Sequence, residues 1–377
     1  MEHRYDTVII GAGPAGMACA VTMQHRGARL CVIDRAVFPR KKACAGLVTA
    51  KTYKLIKLLC GSKDINKLFC AKSSNVRLFR KSELLVEAPL KTAVRLVDRE
   101  VFDNALVNTY KALGGTIIEG VGVIHIDYEN NRIRLANGDS VTYRNLIFAD
   151  GALSRARKLL NVNKTKMAIG IEAFIPAKNT ETDFVDLYFD YLADGYAWAF
   201  PHGDTICVGA ACSYEKRVNY REVFDNIIAD MGYDPAGAKY IGAFLPYGLV
   251  MPQEDLPDNV ILIGDAGGFT DPISGEGLYM AMRTGILAAK AVLTPDPKKN
   301  YLDSVQPLTR IIKDGKKVQK TFYAPAVQKI FYRKVKDNKK AVSFFFEHQV
   351  ENYGYEYRRM NQLYRDYKKS CSHAGHQ

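Results

Sequence analysis

The segment Gly11-Ala12-Gly13-Pro14-Ala15-Gly16 constrains this chain more than any other. An apolar run at residues 5–10 precedes it, helix-compatible sequence follows to about residue 26, and Gly27 ends that helix. A second apolar run at 28–34 closes on Asp34, 23 positions after Gly11. Strand, glycine turn, helix and acid-tipped strand make one β-α-β unit. Gly11, Gly13 and Gly16 let backbone approach a pyrophosphate, while Pro14 and Ala15 open a helix whose N-terminus offers unpaired N–H groups and a positive dipole. Asp34, followed by Arg35, supplies a carboxylate for a ribose hydroxyl. The unit predicts a dinucleotide site and leaves the dinucleotide open.

Two later turns narrow the choice. The segment from Phe148 to Arg157 sets Asp150-Gly151 at a strand end, with Ser154 and Arg157 at fixed offsets. A second apolar strand runs into Gly264-Asp265, and Pro272, Gly275, Glu276, Gly277 and Leu278 then lead into a helix. Asp265 suits a polyol such as a ribityl chain. The helix N-terminus near Gly275 suits the pyrimidine edge of a flavin and negative charge on its reduced form. Each turn alone reads as a tight turn and nothing more. In this order the three point to FAD.

Elsewhere the pattern alternates between periods. Residues 35–81 read as basic and loop-rich, and alternating runs at 76–79, 84–87 and 93–97 predict antiparallel strands. Residues 99–113 have helical spacing, with Val101, Phe102, Leu106 and Tyr110 on one face. Strands follow at 116–119, 121–128, 132–135, 140–143 and 146–149. A second antiparallel sheet is expected from 168–175, 184–189, 196–201 and 205–213, then a helix at 220–231, a strand at 260–263 and a helix at 276–293.

With these motifs in place the chain resembles the FAD-dependent oxidoreductases of the p-hydroxybenzoate hydroxylase superfamily. The order is that of the superfamily: glycine turn, Arg99 before a helix with Phe102-Asp103, Asp150-Gly151, Gly264-Asp265. Within it, Tyr196-Ala197-Trp198-Ala199-Phe200-Pro201 resembles the YxWxFP signature of the geranylgeranyl reductase family. The segment Pro39 to Gly46 resembles that family's Pro…Cys-Gly-Gly, with Ala45 in place of the first glycine. The resemblance covers residues 5–293. It implies an α/β molecule (α+β overall): a glutathione-reductase-like FAD-binding Rossmann domain from 1–75, 98–165 and 258–297, an inserted antiparallel-sheet substrate domain from 76–97 and 166–257, and C-terminal helices over 298–377. It further implies hydride transfer from flavin N5 to a C=C bond of a polyprenyl lipid, with Cys44, Ala45 and Gly46 close to the isoalloxazine ring.

The residues also have readings of their own. Alternation puts Tyr196, Trp198 and Phe200 on one strand face, as the wall of an apolar pocket or as sheet core. Flavin halogenases carry a related WxWxIP segment, so an aromatic hydroxylase or halogenase remains open, as does a non-catalytic prenyl-binding carrier. Arg40, Lys41 and Lys42 precede Cys44 and favour its thiolate, against a reading of Cys44 as a small packing residue. His25, His202 and His348 stand alone and read as structural. No second GxGxxG unit follows a strand, so electrons are expected from a transiently bound NAD(P)H, from reduced flavin or from a protein such as ferredoxin.

Composition fits a globular protein, at 47% hydrophobic and 25% charged, and excludes disorder, collagen and a multi-span membrane protein. Residues 8–23 read as strand, turn and helix start, not as a targeting segment. Eight cysteines without a CxxC pair or zinc spacing imply reduced thiols, a cytoplasmic location and no metal. The net charge of +13 is local: residues 298–377 hold 18 basic and 7 acidic side chains, with 13 of the 40 aromatics, including Phe344, Phe345, Phe346, Tyr353, Tyr355 and Tyr357. Such a segment suits docking of an acidic electron donor, peripheral contact with anionic lipid, or simple capping of the catalytic body. Nucleic acid is not expected, because no recognition motif accompanies the charge.

Overall fold

The computed structural model describes residues 2–160, 167–177, 183–215 and 218–351. The chain runs β1 (Glu2–Arg4), β2 (Thr7–Ile10), α1 (Pro14–Gln24), β3 (Leu30–Ile33), β4 (Leu47–Val48), α2 (Ala50–Cys60), β5 (Ala71–Arg80), β6 (Glu83–Leu96), α3 (Arg99–Ala112) and β7 (Thr116–Ile118). Next come β8 (Val123–Asp127), β9 (Arg132–Leu135), β10 (Ser140–Thr142), β11 (Asn145–Phe148), α4 (Ala156–Leu159), β12 (Ala168–Pro176), β13 (Phe184–Phe189), β14 (Tyr196–His202) and β15 (Thr205–Ser213). The last part is α5 (Tyr220–Asp230), β16 (Ile241–Leu245), β17 (Val260–Leu262), α6 (Leu278–Val292), α7 (Pro297–Phe322), α8 (Pro325–Val335) and α9 (Lys339–Glu351).

A five-stranded parallel sheet, β17-β11-β2-β3-β7, gathers strands from three distant stretches of sequence. Its strands are apolar on both faces because both are covered, the usual condition of a parallel sheet. Ile9, Val32, Ile147 and Ile261 face the helical layer of α1, α2, α3, α6 and α7. Val8, Cys31, Leu146 and Leu262 face the small sheet β1-β10-β9-β8. This arrangement is a dinucleotide-binding fold, as expected from the first glycine unit.

The second layer departs from the expected antiparallel sheet at one pairing. The strands expected near 76–97 and those at 168–213 belong to one eight-stranded sheet, β16-β12-β15-β14-β13-β5-β6-β4. The join is a parallel pairing of β13 with β5, where Arg77 stands opposite Asp186. Arg77 Nε and Nη2 donate to the two Asp186 carboxylate oxygens at 2.8 and 2.7 Å, and Phe79 stacks on Tyr188 two positions along. The runs at 84–87 and 93–97 are one continuous strand, and α2 occupies sequence read as loop. In α2 the lysines mask a buried face of Thr52, Leu55, Ile56 and Leu59.

One face of the large sheet packs on α5, through Ala197, Ala199, Val208 and Phe224. The other carries Trp198, Phe200 and Cys207 and lies under Tyr332 and Val335 of α8 and Val342 of α9. The basic C-terminal segment therefore packs on the large sheet through α8 and α9. Tyr353, Tyr355 and Tyr357 lie outside the described residues. α7 buries Tyr301, whose hydroxyl donates to Leu262 O at 2.9 Å, and Lys336 pairs with Glu83 at 2.7 Å. Lys329, Arg333, Lys334, Lys339 and Lys340 remain on the outer surface.

Gly209 sits opposite Trp198 in the β14–β15 register. A Cβ there would stand 2.5 Å from the indole and 2.7 Å from Ile171 O. Gly209→Ala is expected to cost about 1–3 kcal/mol by overpacking, read as a lower midpoint in urea denaturation.

Candidate functional site

The glycine turn separates into two kinds of glycine. Gly11 has φ +107°, and a Cβ on it would lie 2.4 Å from Ala149 O, while one on Gly16 would lie 1.9 Å from Gly11 O. Both are demanded by the protein's own packing. At Gly13 the first atom met is Arg40 Nη2, at 3.6 Å, so the space beside it belongs to no other part of the chain. Asp34 braces the turn: its Oδ2 accepts the Ala12 N–H at 2.7 Å and its Oδ1 the Ala36 N–H at 2.8 Å. Each oxygen keeps a second lone pair for a hydroxyl. Arg35 next to it is exposed.

Cations converge on that space. Arg99 makes a two-pronged bond to the fully buried Asp103, at 2.7 Å for each contact, and Arg40 Nη2 reaches the same carboxylate at 3.2 Å. Arg40 Nη1 is buried with no hydrogen-bond partner among the described residues. The same holds for all three nitrogens of Arg157, which is 5% exposed, and for Asp150 Oδ1. Burial lowers the Arg157 pKa against the pull of Asp265 and Asp150, and burial raises that of Asp150. Polar groups so placed are costly without partners. Orphaned donors beside an open glycine turn fit an anionic dinucleotide.

The third turn is held from two sides. Asp271 Oδ1 accepts from Ile273 N and Ser274 N at 2.9 and 2.8 Å, shaping the approach to Gly275. Tyr196 of β14 donates its hydroxyl to Ser274 O at 2.6 Å and lies 3.3 Å from where a Gly275 Cβ would be. From the other side, the Glu276 carboxylate is turned to Lys51 (2.6 Å) and Thr49 (2.8 Å) of the α2 region. Pro272 is buried, and Gly277 caps α6, whose first residue Leu278 is also buried. Asp265 Oδ1 accepts the Thr270 hydroxyl at 2.8 Å, and Gly264 lies against Ala15. The side chain of Glu276 thus fastens the turn to the α2 region. Gly151, with φ +79°, leaves the strand end at Asp150.

Cys44 lies between these elements. Its N–H donates to Glu172 Oε1 at 2.7 Å, and its sulfur accepts the Gly46 N–H at 3.4 Å. Gly46 has φ +76° and sits against Val97 O, and Ala45 packs against the cluster that holds Tyr196 and Trp198. Glu172 on β12 is 3% exposed, and its Oε2 faces Cys207 Sγ at 3.9 Å. Desolvation pushes the Glu172 pKa up to about 7, against the Cys44 amide and the charges of Arg99 and Lys42. Lys42 is solvent-accessible yet lies among Arg99, Asp265 and Cys44. Desolvation, then the Arg99 charge, hold its ammonium below the ordinary lysine value. Tyr196, Trp198 and Phe200 run along one face with neighbouring ring centroids 6.0 and 6.3 Å apart.

The sequence profile of the pyridine nucleotide-disulphide oxidoreductases matches residues 5–177. An uncharacterized protein of Methanosarcina barkeri is 32% identical over 77% of this chain and 74% of its own length. A geranylgeranyl diphosphate reductase of Rhodobacter capsulatus is 29% identical over 77% and 75%. The chain belongs to the geranylgeranyl reductase family of FAD-dependent oxidoreductases. A geranylgeranyl bacteriochlorophyll reductase-like protein of Thermoplasma acidophilum has the same fold, with a TM-score of 0.78 at 16% identity over 96% of this chain and 100% of that one. That coverage runs past residue 293, so the shared fold takes in C-terminal helices that the sequence motifs do not reach.

The structure adds Glu172 and Cys207, which sequence reasoning missed, and gives Arg40 and Lys42, read in the sequence only as charges near Cys44, their own places: Arg40 on Asp103 beside Gly13, and Lys42 among Arg99, Asp265 and Cys44. Among the described residues no group of three His, Cys, Asp or Glu side chains is placed to hold a metal, and no helix is long and apolar enough to cross a membrane.

Two outcomes follow from this geometry. Gly13→Ala is expected to fold and purify without flavin colour, whereas Gly16→Ala loses the cooperative unfolding transition itself. In Glu172, a carboxyl raised in the folded state, the unfolded chain ionises first. Its ionisation therefore opposes folding increasingly from about pH 4.5 to pH 7, by about 3 kcal/mol at most. Glu172→Gln should gain thermal stability relative to the unaltered protein as pH rises through that window, and equal melting curves at pH 5 and pH 7.5 would contradict it.

Proposed function

We propose that this protein reduces isolated C=C bonds of a polyprenyl lipid of the geranylgeranyl type, with FAD as its flavin. The observation that carries this reading is the Tyr196 hydroxyl bond to Ser274 O, which ties the aromatic strand to the turn that opens α6. The named substrates of the Rhodobacter relative, and of a digeranylgeranylglycerophospholipid reductase of Methanocella arvoryzae, support the same substrate class.

In this reading Gly11, Gly13, Pro14, Ala15 and Gly16 with Arg40 receive the pyrophosphate. Asp34 and Arg35 lie at the ribose, Arg99, Asp150, Gly151, Gly264 and Asp265 border the rest of the dinucleotide, and Pro272 to Leu278 meet the ring. FAD, when bound, supplies the hydride from N5. Tyr196, Trp198 and Phe200 exclude water and present an apolar wall to the chain of the substrate. An unactivated alkene accepts hydride poorly, so orientation and a proton at the second carbon carry the burden. Cys44 Sγ–H is the proton donor. Electrons come from an external carrier, and the protein works in the cytoplasm at the edge of a lipid surface, with the outer basic face of the C-terminal helices toward anionic lipid.

Anaerobic mixing of the reduced protein with geranylgeranyl diphosphate or a geranylgeranylated glycerophospholipid should reoxidise the flavin and add two hydrogens per bond reduced. Rapid reaction with oxygen instead, without saturated product, moves the reading to an aromatic hydroxylase or halogenase. Cys44→Ser should keep flavin and slow reoxidation by lipid about a hundredfold or more.

A further inference from the structure

At the start of β14 lies a cleft of about 370 Å³, and none of its lining residues belongs to the three glycine turns. Asp194 and Ser213 line it from the sheet, and Lys316, Gln319, Lys320 and Tyr323 from the C-terminal half of α7 and the residue after it. Asp194 spends both carboxylate oxygens on Ser213, one on the N–H at 3.1 Å and one on the hydroxyl. Lys316 Nζ donates to Gln319 Oε1 at 2.7 Å, which leaves Nε2 as the free end of that amide. Gln319 is 3% exposed, and its Nε2 lies near the Tyr247 hydroxyl but within hydrogen-bond geometry of no described residue. Lys316 rides over the Tyr247 ring, 4.7 Å from its centroid, and Lys320 one turn on is exposed. Burial lowers the Lys316 pKa against the pull of Asp194, and Lys320 lowers it further. Two ammonium groups and an orphaned amide thus share a cleft whose one carboxylate is already engaged. Buried donors without partners are costly, and an anion with several acceptor oxygens satisfies all three groups at once.

The place of the cleft points to the kind of anion. Tyr247 donates its hydroxyl to Asp194 O at 3.1 Å, and Gly195 packs so closely that a Cβ would stand 1.9 Å from Ala211 O. The cleft wall is therefore fixed two residues before Tyr196, at most about 7 Å of chain away. From Tyr323 a run of ring contacts leads inward: to Phe322 at 5.0 Å, then Phe189 at 6.2 Å, Tyr196 at 6.3 Å and Trp198 at 6.0 Å. Charge lies at one end of that run and the aromatic strand at the other. We propose that this cleft takes the phosphate of the substrate, with Lys316, Lys320 and Gln319 holding the headgroup while the polyprenyl chain runs along the aromatic strand. This deepens the reductase reading and rests on it for the identity of the chain. Inorganic pyrophosphate offers the same oxygens without the chain.

The test is equilibrium dialysis of the oxidised, flavin-loaded protein against geranylgeranyl diphosphate, geranylgeraniol and inorganic pyrophosphate. The unaltered protein should hold the diphosphate at least tenfold more tightly than the alcohol, and more tightly than pyrophosphate. Lys316→Met and Lys320→Glu should each remove most of that preference and leave binding of the alcohol within twofold. Lys57→Glu makes the same charge change on the exposed side of α2 and should leave the preference intact. Should Lys316→Met fail to fold, the exposed Lys320 decides alone. Equal affinities for diphosphate and alcohol in the unaltered protein overturn the proposal, and so does a preference that survives Lys320→Glu or that Lys57→Glu removes as fully. Pyrophosphate bound as tightly as geranylgeranyl diphosphate makes the cleft a site for a free anion and overturns its role in holding a headgroup. If the reductase reading alone fails, lipid does not reoxidise the reduced flavin but the lysine-dependent preference persists. If this proposal alone fails, lipid reoxidises the flavin and the preference is absent or indifferent to the two lysines.

Discussion

The molecule depends on backbone packing against backbone around Ala15. Gly16 lets α1 rise directly over Gly11 O, Gly11 lets the first turn meet Ala149 O, and Gly285 of α6 lies where a Cβ would be 2.3 Å from Ala15 O. Gly264 fits against the Ala15 methyl from another side. Segments more than a hundred residues apart in sequence are thereby locked at distances that no side chain tolerates. The convergence of the three turns on one space follows from this contact, and so does the alignment of β2, β11 and β17 in the parallel sheet, with β11 between the other two.

A second consequence is that the site is built from unequal materials. The dinucleotide side is made of glycine turns, helix ends and paired or orphaned charges, all fixed by the parallel sheet. The side opposite is a flat face of aromatics on β14, held by sheet register and by the helices above it. The hydroxyl of Tyr196 reaches from that face to the turn before α6. The chemistry assigned to Cys44 lies on the seam, where an apolar wall and a cluster of charges meet.

The glycine turns were legible in sequence because each is a local backbone requirement, carried within a few residues. The helices α3, α5 and α6 were legible too, from their spacing. Other features were not, for physical reasons. Glu172 lies 128 residues from Cys44 and sits in a strand whose alternation says only which face it is on, not what it meets. The short edge strand β16 is only half-buried and lacks an alternating burial pattern. In α2 the lysines hide the buried stripe, and Lys51 itself is buried because it has Glu276 to pair with. Charge counting showed that the C-terminal segment is basic but could not show that its inner face is apolar. That face becomes visible only when Tyr332, Val335 and Val342 are seen over the aromatic strand.

This last point changes what the C-terminal segment can be. Its helices are at once the roof of the aromatic strand and the outermost charged layer of the protein. A helix with its side chains is only about 10 Å thick. Anything that presses on the basic residues outside α8 stands about one helix diameter from the sheet beneath, where the Phe331 ring meets Phe189 and Phe189 meets Tyr196. Surface recognition and the interior are separated here by a single layer of structure.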